Sequence, residues 1–206
     1  MSAVPLPPLP PAPAPEEGYR PAGRSIADIV DGEHRQLLAL LDQLSGPDTT
    51  PQEGLAVLTA ALSRHLSAEE QYLLPAVRAA LPAATERVDA EISADAALLS
   101  ALKGLTEEAL TEVAERVRRH VEGVGALVTE LRAVATEEEL IRLGNRLEIA
   151  EEAAPTRPHP GTPATPPWNR IVEPAVGVVD KVLDAVTRRP TYLADLADLP
   201  EPPRDR

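Results

Sequence analysis

An all-α fold is predicted by three observations. The 206-residue chain contains no Phe and only 2% aromatic residues, so a sheet built on aromatic and β-branched pairs is poorly supplied, whereas abundant Leu, Ala and Val suit packed helices. Apolar residues recur at three- and four-residue spacing in successive blocks. Between the blocks stand Pro, Gly and the Ser/Thr-x-x-acid pattern that opens helices. Short connections between blocks imply antiparallel neighbours, and so an up-down-up-down four-helix bundle with additional C-terminal helices and Pro-rich tails.

Proline recurs almost every second residue from Pro5 to Pro15, which denies that stretch helix hydrogen bonds and favours an extended polyproline conformation. Residues 1–23 therefore read as a disordered tail, in which the Pro5-to-Pro8 spacing is an ordinary product of composition. Residues 24–155 read as the bundle plus a short extra helix. The first helix starts after Ser25, with Asp28 three residues on, and carries Ile26, Ile29, Val30, Leu37, Leu38 and Leu41 to the Gly46-Pro47 break. Thr50-Pro51-Gln52-Glu53 opens a second, running to about Leu81, with a kink expected at Pro75. A third fits Thr85 to about Lys103, with Gly104 as its stop. A fourth begins around Thr106 and places Leu110, Val113, Val117, His120, Val124, Leu127 and Leu131 on successive turns. Thr136 with Glu139 caps one more helix, to about Ala154.

Residues 156–168 read as a Pro-rich linker and 169–188 as an amphipathic helix. Ile171, Ala175, Val178, Val179, Val182 and Val186 share one face of it, opposite Glu173, Asp180 and Asp184. That apolar stripe is expected to pack back on the bundle or on a second copy of the chain, rather than on an anionic membrane. Residues 189–206 read as a tail.

A net charge of −13 repels phosphate backbones and anionic lipid, which argues against nucleic acid and membrane surfaces as general partners. No stretch approaches the ~20 apolar residues of a membrane span, and the start lacks a signal-peptide pattern, so a soluble cytoplasmic protein is expected. With no cysteine, thiolate zinc sites and iron–sulfur clusters are excluded, leaving His and carboxylates as the strong metal donors.

Those donors come together in Arg64-His65-Leu66-Ser67-Ala68-Glu69-Glu70-Gln71-Tyr72-Leu73-Leu74-Pro75. His65 and Glu69 are four residues apart and share one helix face. His34 sits among the apolar positions of the preceding helix, and an antiparallel hairpin can bring it opposite His65. An imidazole nitrogen and a carboxylate oxygen suit iron, manganese or zinc, and bundle cores assemble such sets from facing helices. Without a cation, an inward Glu69 requires protonation or a histidine hydrogen-bond network.

On these residues, together with the Asp31-Gly32-Glu33-His34 approach, the histidine inside the fourth helix and Pro155-Thr156-Arg157-Pro158-His159-Pro160, residues 25 to about 155 resemble the hemerythrin-like cation-binding family. Its pattern is a histidine and a His-xxx-Glu, then a second histidine and a second His-xxx-Glu, on four successive helices. The resemblance implies that His34, His65 and Glu69 are the first three metal donors and that His120 is the histidine of the second motif. It puts Asp95 where the second lone histidine is expected and Val124 where the second glutamate is expected. It further implies non-haem iron, one ion or two, with manganese or zinc as substitutes, and a small gas or oxidant as the exogenous ligand. Three functions follow as expectations: a metal protein that binds or senses dioxygen, nitric oxide or peroxide; a metal-free helical scaffold whose tails and amphipathic helix recruit partners or a second copy; and a di-metal oxidase or peroxide-consuming enzyme, for which no substrate pocket or general acid is evident.

Overall fold

The helical blocks read from the sequence recur as helices of the protein, with a further short one, Leu193–Ala197, in the segment read as a tail; the computed structural model describes residues 21–46, 52–160 and 169–197. Helix α1 spans Ile26–Leu44 and is capped by Ser25, whose hydroxyl accepts from the Asp28 amide at 3.1 Å. Helix α2 spans Gln52–Ala68; the proposed Thr50-Pro51 start lies outside the described residues. A π-helical turn, Glu69–Leu73, leads into α3, Leu74–Ala80. A 3₁₀ turn at Pro82–Ala84 precedes α4, Thr85–Leu102. Then come α5, Leu110–Val134, and α6, Glu137–Ala153, the latter opened by the Thr136/Glu139 capping box. After the undescribed residues 161–168 follow α7, Asn169–Thr187, and α8, Leu193–Ala197. Among the described residues there is no strand.

Two of these boundaries differ from the expectation for local reasons. The kink anticipated at Pro75 takes the form of the π turn: Pro75 cannot donate to the carbonyl four residues back, and the ladder widens so that the Leu74 amide bonds the Glu69 carbonyl five residues back. Helix α5 starts at Leu110 rather than near Thr106, because the Ala109 and Leu110 amides bond the Thr106 and Glu107 carbonyls in tight three-residue turns.

Helices α1, α2 with its continuation through α3, α4 and α5 pack as a four-helix bundle, and α6 lies against α1 and α2. Their buried faces form two apolar clusters. One joins Ile26, Ile29 and Val30 to Leu73, Leu74, Val77, Val88, Val124, Leu127 and Leu147. The other joins Leu37, Leu41, Leu58, Leu62, Leu66, Leu98, Leu102, Val113 and Val117. Between them each bundle helix contributes a buried polar side chain at mid-length: His34, His65 with Glu69, Asp95 and His120. The site is a polar layer between two dry ones.

Helix α7 packs on α6, but with the opposite face from the one its sequence pattern suggests. Asp180 and Asp184 are buried against the bundle, while Val178, Val179, Val182, Leu183 and Val186 are exposed. Of the two expected coverings of the valine stripe, the bundle is therefore ruled out, and the second copy of the chain is the one left. The cause is a set of polar partners supplied by the segment after α6. Asp180 accepts from the Thr156 and Arg157 amides at 3.1 and 3.0 Å and meets His159 Nε2 at 3.0 Å. Asp184 accepts from the Thr156 hydroxyl, from the Arg157 guanidinium at 2.7 Å and from Arg189 at 3.3 Å. Gly177, on the same inner face, lets the helix approach so closely that an added Cβ would overlap the Ala153 carbonyl oxygen. Thus Pro155–Pro160, expected within or beside a linker, is a docking strip. Residues 1–20, including the Pro5-to-Pro8 spacing, and residues 198–206 lie outside the described residues.

Candidate metal centre

Each donor reaches the polar layer because it occupies an otherwise apolar stripe. His34 stands between Val30 and Leu37 on α1, and His120 between Val117 and Val124 on α5. His65 and Glu69 are one turn apart at the end of α2, with Glu69 opening the π turn. A π turn offsets the residues that follow it, so it recurs where a helix must aim a functional side chain. Glu69 is 0% exposed, and Glu70 beside it is also buried.

The donor atoms of His34, His65, Glu69 and His120 all lie within 4.8 Å of one another. The three imidazole rings stand edge to face, with centroids 5.0 to 5.4 Å apart. From the Glu69 carboxylate, His120 Nε2 is 3.2 Å away, His65 Nε2 3.4 Å and His34 Nε2 3.7 Å. None of these approaches has hydrogen-bond geometry: His34 Nε2 and both Glu69 oxygens are buried without a hydrogen-bond partner among the described residues. Leaving a buried carboxylate in that state costs several kcal/mol.

Behind the rings lie two further carboxylates. Glu33 Oε2 meets His65 Nδ1 at 2.9 Å, and Asp95 Oδ1 meets His120 Nδ1 at 2.8 Å. When ionised, each carboxylate can only accept, and the Nδ1 it meets then carries the proton while Nε2 presents its lone pair inward. His65 Nε2 and His120 Nε2 then face one another at 3.3 Å. Two lone pairs and a carboxylate converging in a dry layer repel unless a proton on one ring or a metal cation sits among them. The donor set therefore fits a metal ion, and carboxylates gripping the outer nitrogens are the usual support for metal-bound histidines.

The electrostatics of the bare site point the same way. Burial works against an ionised Glu69, but the charges of His65 and His120 outweigh it and hold the carboxyl well below its ordinary value. Burial also works against a charged His120, and Glu69 with Asp95 overcomes it, raising the ring well above its ordinary value. Desolvation lowers His34 and His65. The pocket demands one net positive charge, supplied by a proton on His120 or by a metal.

Asp95 is thus placed behind His120 rather than in the converging group. Its Oδ2 is buried without a partner, and its nearest company is Glu91, the three residues Glu91, Asp95 and His120 forming a neighbouring potential donor group. Glu91 fits there because Gly123 leaves room: an added Cβ would overlap the Glu91 carboxylate. Val124 is fully buried in the apolar cluster. His159 lies on the α7 docking strip, away from this layer.

Three carboxylates were not singled out by sequence reasoning as part of the site: Glu33, Glu91 and Glu151. Glu151, from α6, brings its carboxylate within 4.8 Å of Glu33 and His65, and burial followed by the Glu33 charge pushes its carboxyl up to about 8; burial pushes Glu33 up to about 7. The available signal was periodic. Glu33 follows Val30 by three residues and precedes Leu37 by four, Glu91 is placed the same way between Val88 and Asp95, and Glu151 follows Leu147 by four and precedes Ala154 by three. Each is an acid on a helix's inward stripe.

Two cavities reach the outer edges of the rings. One, of about 550 Å³, is bounded by Leu37, Arg64, Glu151 and Tyr192 and reaches Glu33 and His65. The other, of about 240 Å³, passes Arg116 and Arg119 to Asp95 and His120.

The family model described as "Hemerythrin HHE cation binding domain" matches residues 25–142. The chain belongs to that family. Comparison with curated proteins and with solved structures returned no match. Membership and the buried His/Glu cluster agree on a cation-binding domain. No helix among the described residues is long and apolar enough to cross a membrane.

Proposed function

We propose that this hemerythrin-family bundle holds a single divalent transition-metal ion, iron in the first instance, through His34, His65, Glu69 and His120, and that it binds or senses dioxygen, nitric oxide or peroxide there. The observation that carries the reading is the convergence of four donors in one buried layer, where His34 Nε2 and both Glu69 oxygens have no hydrogen-bond partner among the described residues. One ion rather than two follows from the second half of the site: Asp95 is engaged behind His120, and Val124 offers no ligand atom.

Three neutral imidazoles and one carboxylate bring one negative charge, which suits a divalent cation of borderline softness such as Fe²⁺, Mn²⁺ or Zn²⁺. When bound, iron supplies reversible ligation of a small molecule and a one-electron change of oxidation state. The chain's own residues do the rest. Glu33 and Asp95 hold His65 and His120 in the tautomer that turns Nε2 inward. Glu69 offsets the cation's charge in a layer where water cannot. The apolar clusters on either side would keep bulk solvent from a bound ion.

The rival is a metal-free scaffold in which a protonated His120 neutralises Glu69. The His120–Glu69 approach at 3.2 Å supports it, but both carboxylate oxygens lack hydrogen-bond geometry, which favours the metal. The full chain, loaded anaerobically with ferrous iron and desalted, is expected to hold close to one iron per chain. A His65→Ala, Glu69→Ala variant is expected to hold none while keeping its helical circular dichroism. An unloaded wild type after that treatment refutes the reading; two irons per chain refutes its stoichiometry. Spectral change on exposure to nitric oxide, dioxygen or peroxide then tests the ligand.

A further inference from the structure

Nine large hydrophobic side chains are conspicuously exposed among the described residues, and five of them fall within nine residues of α7: Val178 at 63%, Val179 at 58%, Val182 at 59%, Leu183 at 46% and Val186 at 77%. At 100° per residue, Val178, Val182 and Val186 form one ridge and Val179 with Leu183 a second beside it. Such a face on a single helix is not a packing failure of the monomer. The helix is held in this rotation by Asp180 and Asp184, each gripped by backbone amides, Thr156, Arg157, His159 or Arg189, and by Gly177 against Ala153. Rolling the valines inward would expose nothing useful and would break every one of these contacts.

What covers the face is narrowed by charge. Asp180 and Asp184, the acids beside this stripe, are turned inward and already paired, so they offer nothing to a basic partner. An anionic lipid surface is opposed by a chain of net charge −13. The exposed positions themselves carry no charge, so the complementary surface is another uncharged aliphatic helix face, and the stripe is its own complement under a two-fold axis, as closed homodimers require.

We propose that the outward valine face of α7 is the contact between two copies of this chain, the helices crossing with Val182 near the two-fold axis. Five side chains exposed by half to three quarters offer roughly 400–500 Å² per copy, so the pair buries about 900 Å², at the low end for specific association. The dimer is accordingly weak and reversible, with a dissociation constant on the order of tens of micromolar. Because both copies are acidic, added salt tightens it by screening their repulsion. The contact is independent of metal binding.

Sedimentation of the full chain from about 1 µM to 1 mM should show a monomer–dimer equilibrium that shifts toward dimer with salt. A Val182→Asp, Val186→Asp variant should raise the dissociation constant at least tenfold with helicity and metal content unchanged. The chain has no native cysteine, so Val182→Cys supplies a second readout: mild oxidation should yield a disulfide-linked dimer, and the exposed control Ala126→Cys on α5 should not. A monomer at every concentration, as would follow if residues 1–20 covered the stripe, overturns the proposal. So does a dimer that survives the double variant, or binding to phosphatidylcholine–phosphatidylglycerol vesicles that the double variant abolishes while the wild type stays monomeric.

Discussion

Replacing Glu151 by Gln should make the metal-free protein more stable at alkaline pH and leave it nearly unchanged at pH 5. Glu151 sits on the inward stripe of α6 beside Glu33, and burial with the Glu33 charge raises its carboxyl from 4.5 to about 8. A carboxyl raised in the folded state favours folding fully below about pH 4.5, and that advantage drains away as pH rises through the folded value. Each tenfold change in proton affinity is worth about 1.4 kcal/mol, so between pH 5 and pH 8 the wild type should lose on the order of 2–4 kcal/mol from this group, the lower figure allowing for its partial exposure. Glutamine keeps the size and polarity of the side chain and cannot ionise, so it removes the loss with little change in packing. The assay is urea unfolding of the chelator-treated wild type and variant at half-unit steps from pH 5 to pH 8.5, with the difference between the two curves as the readout. That difference isolates Glu151 from His120 and Glu69, which titrate in both proteins. Parallel curves across the window would refute a buried, protonated Glu151.

Asp95→Asn should weaken ferrous iron binding by roughly 10- to 100-fold in chelator competition without changing helicity, because it removes the charge that orients His120 from behind; unchanged affinity would mean that the 2.8 Å contact is incidental. Val124→Glu places a carboxylate in a fully buried apolar position. It should destabilise the metal-free protein by about 3 kcal/mol in urea melts, while iron content after loading rises above one per chain. Gly177→Ala directs a Cβ at the Ala153 carbonyl, a backbone atom that cannot swing aside. A cost of about 1–3 kcal/mol is expected, seen as faster amide exchange in α7 with α1 to α5 unaffected.

The helices themselves were legible because their determinants are local. Ser25 with Asp28 and Thr136 with Glu139 act within one turn, and proline blocks its own turn wherever it falls. The same locality explains why Glu69 could be paired with His65 before any fold was known: four residues on a helix is one face. It also bears on one of the two local surprises, the π turn at Glu69–Leu73. Pro75 announces a disturbance, but whether the ladder kinks or widens depends on what the displaced side chains then pack against.

What the sequence by itself determined is an all-α chain, its helix positions, and a histidine–glutamate set of the hemerythrin family in one polar layer. Tertiary structure alone decided which atom of that layer each residue faces and which side of α7 is buried. Asp95 lies behind His120 instead of beside it, Glu151 arrives from a helix outside the four-helix core to meet Glu33, and α7 turns its acids inward and its valines out. Periodicity states only that a helix has two unlike faces. For α7 the choice was made by Thr156, Arg157, His159 and Arg189, whose hydrogen bonds to two buried carboxylates outweigh the burial of an aliphatic stripe, and no local pattern encodes that competition.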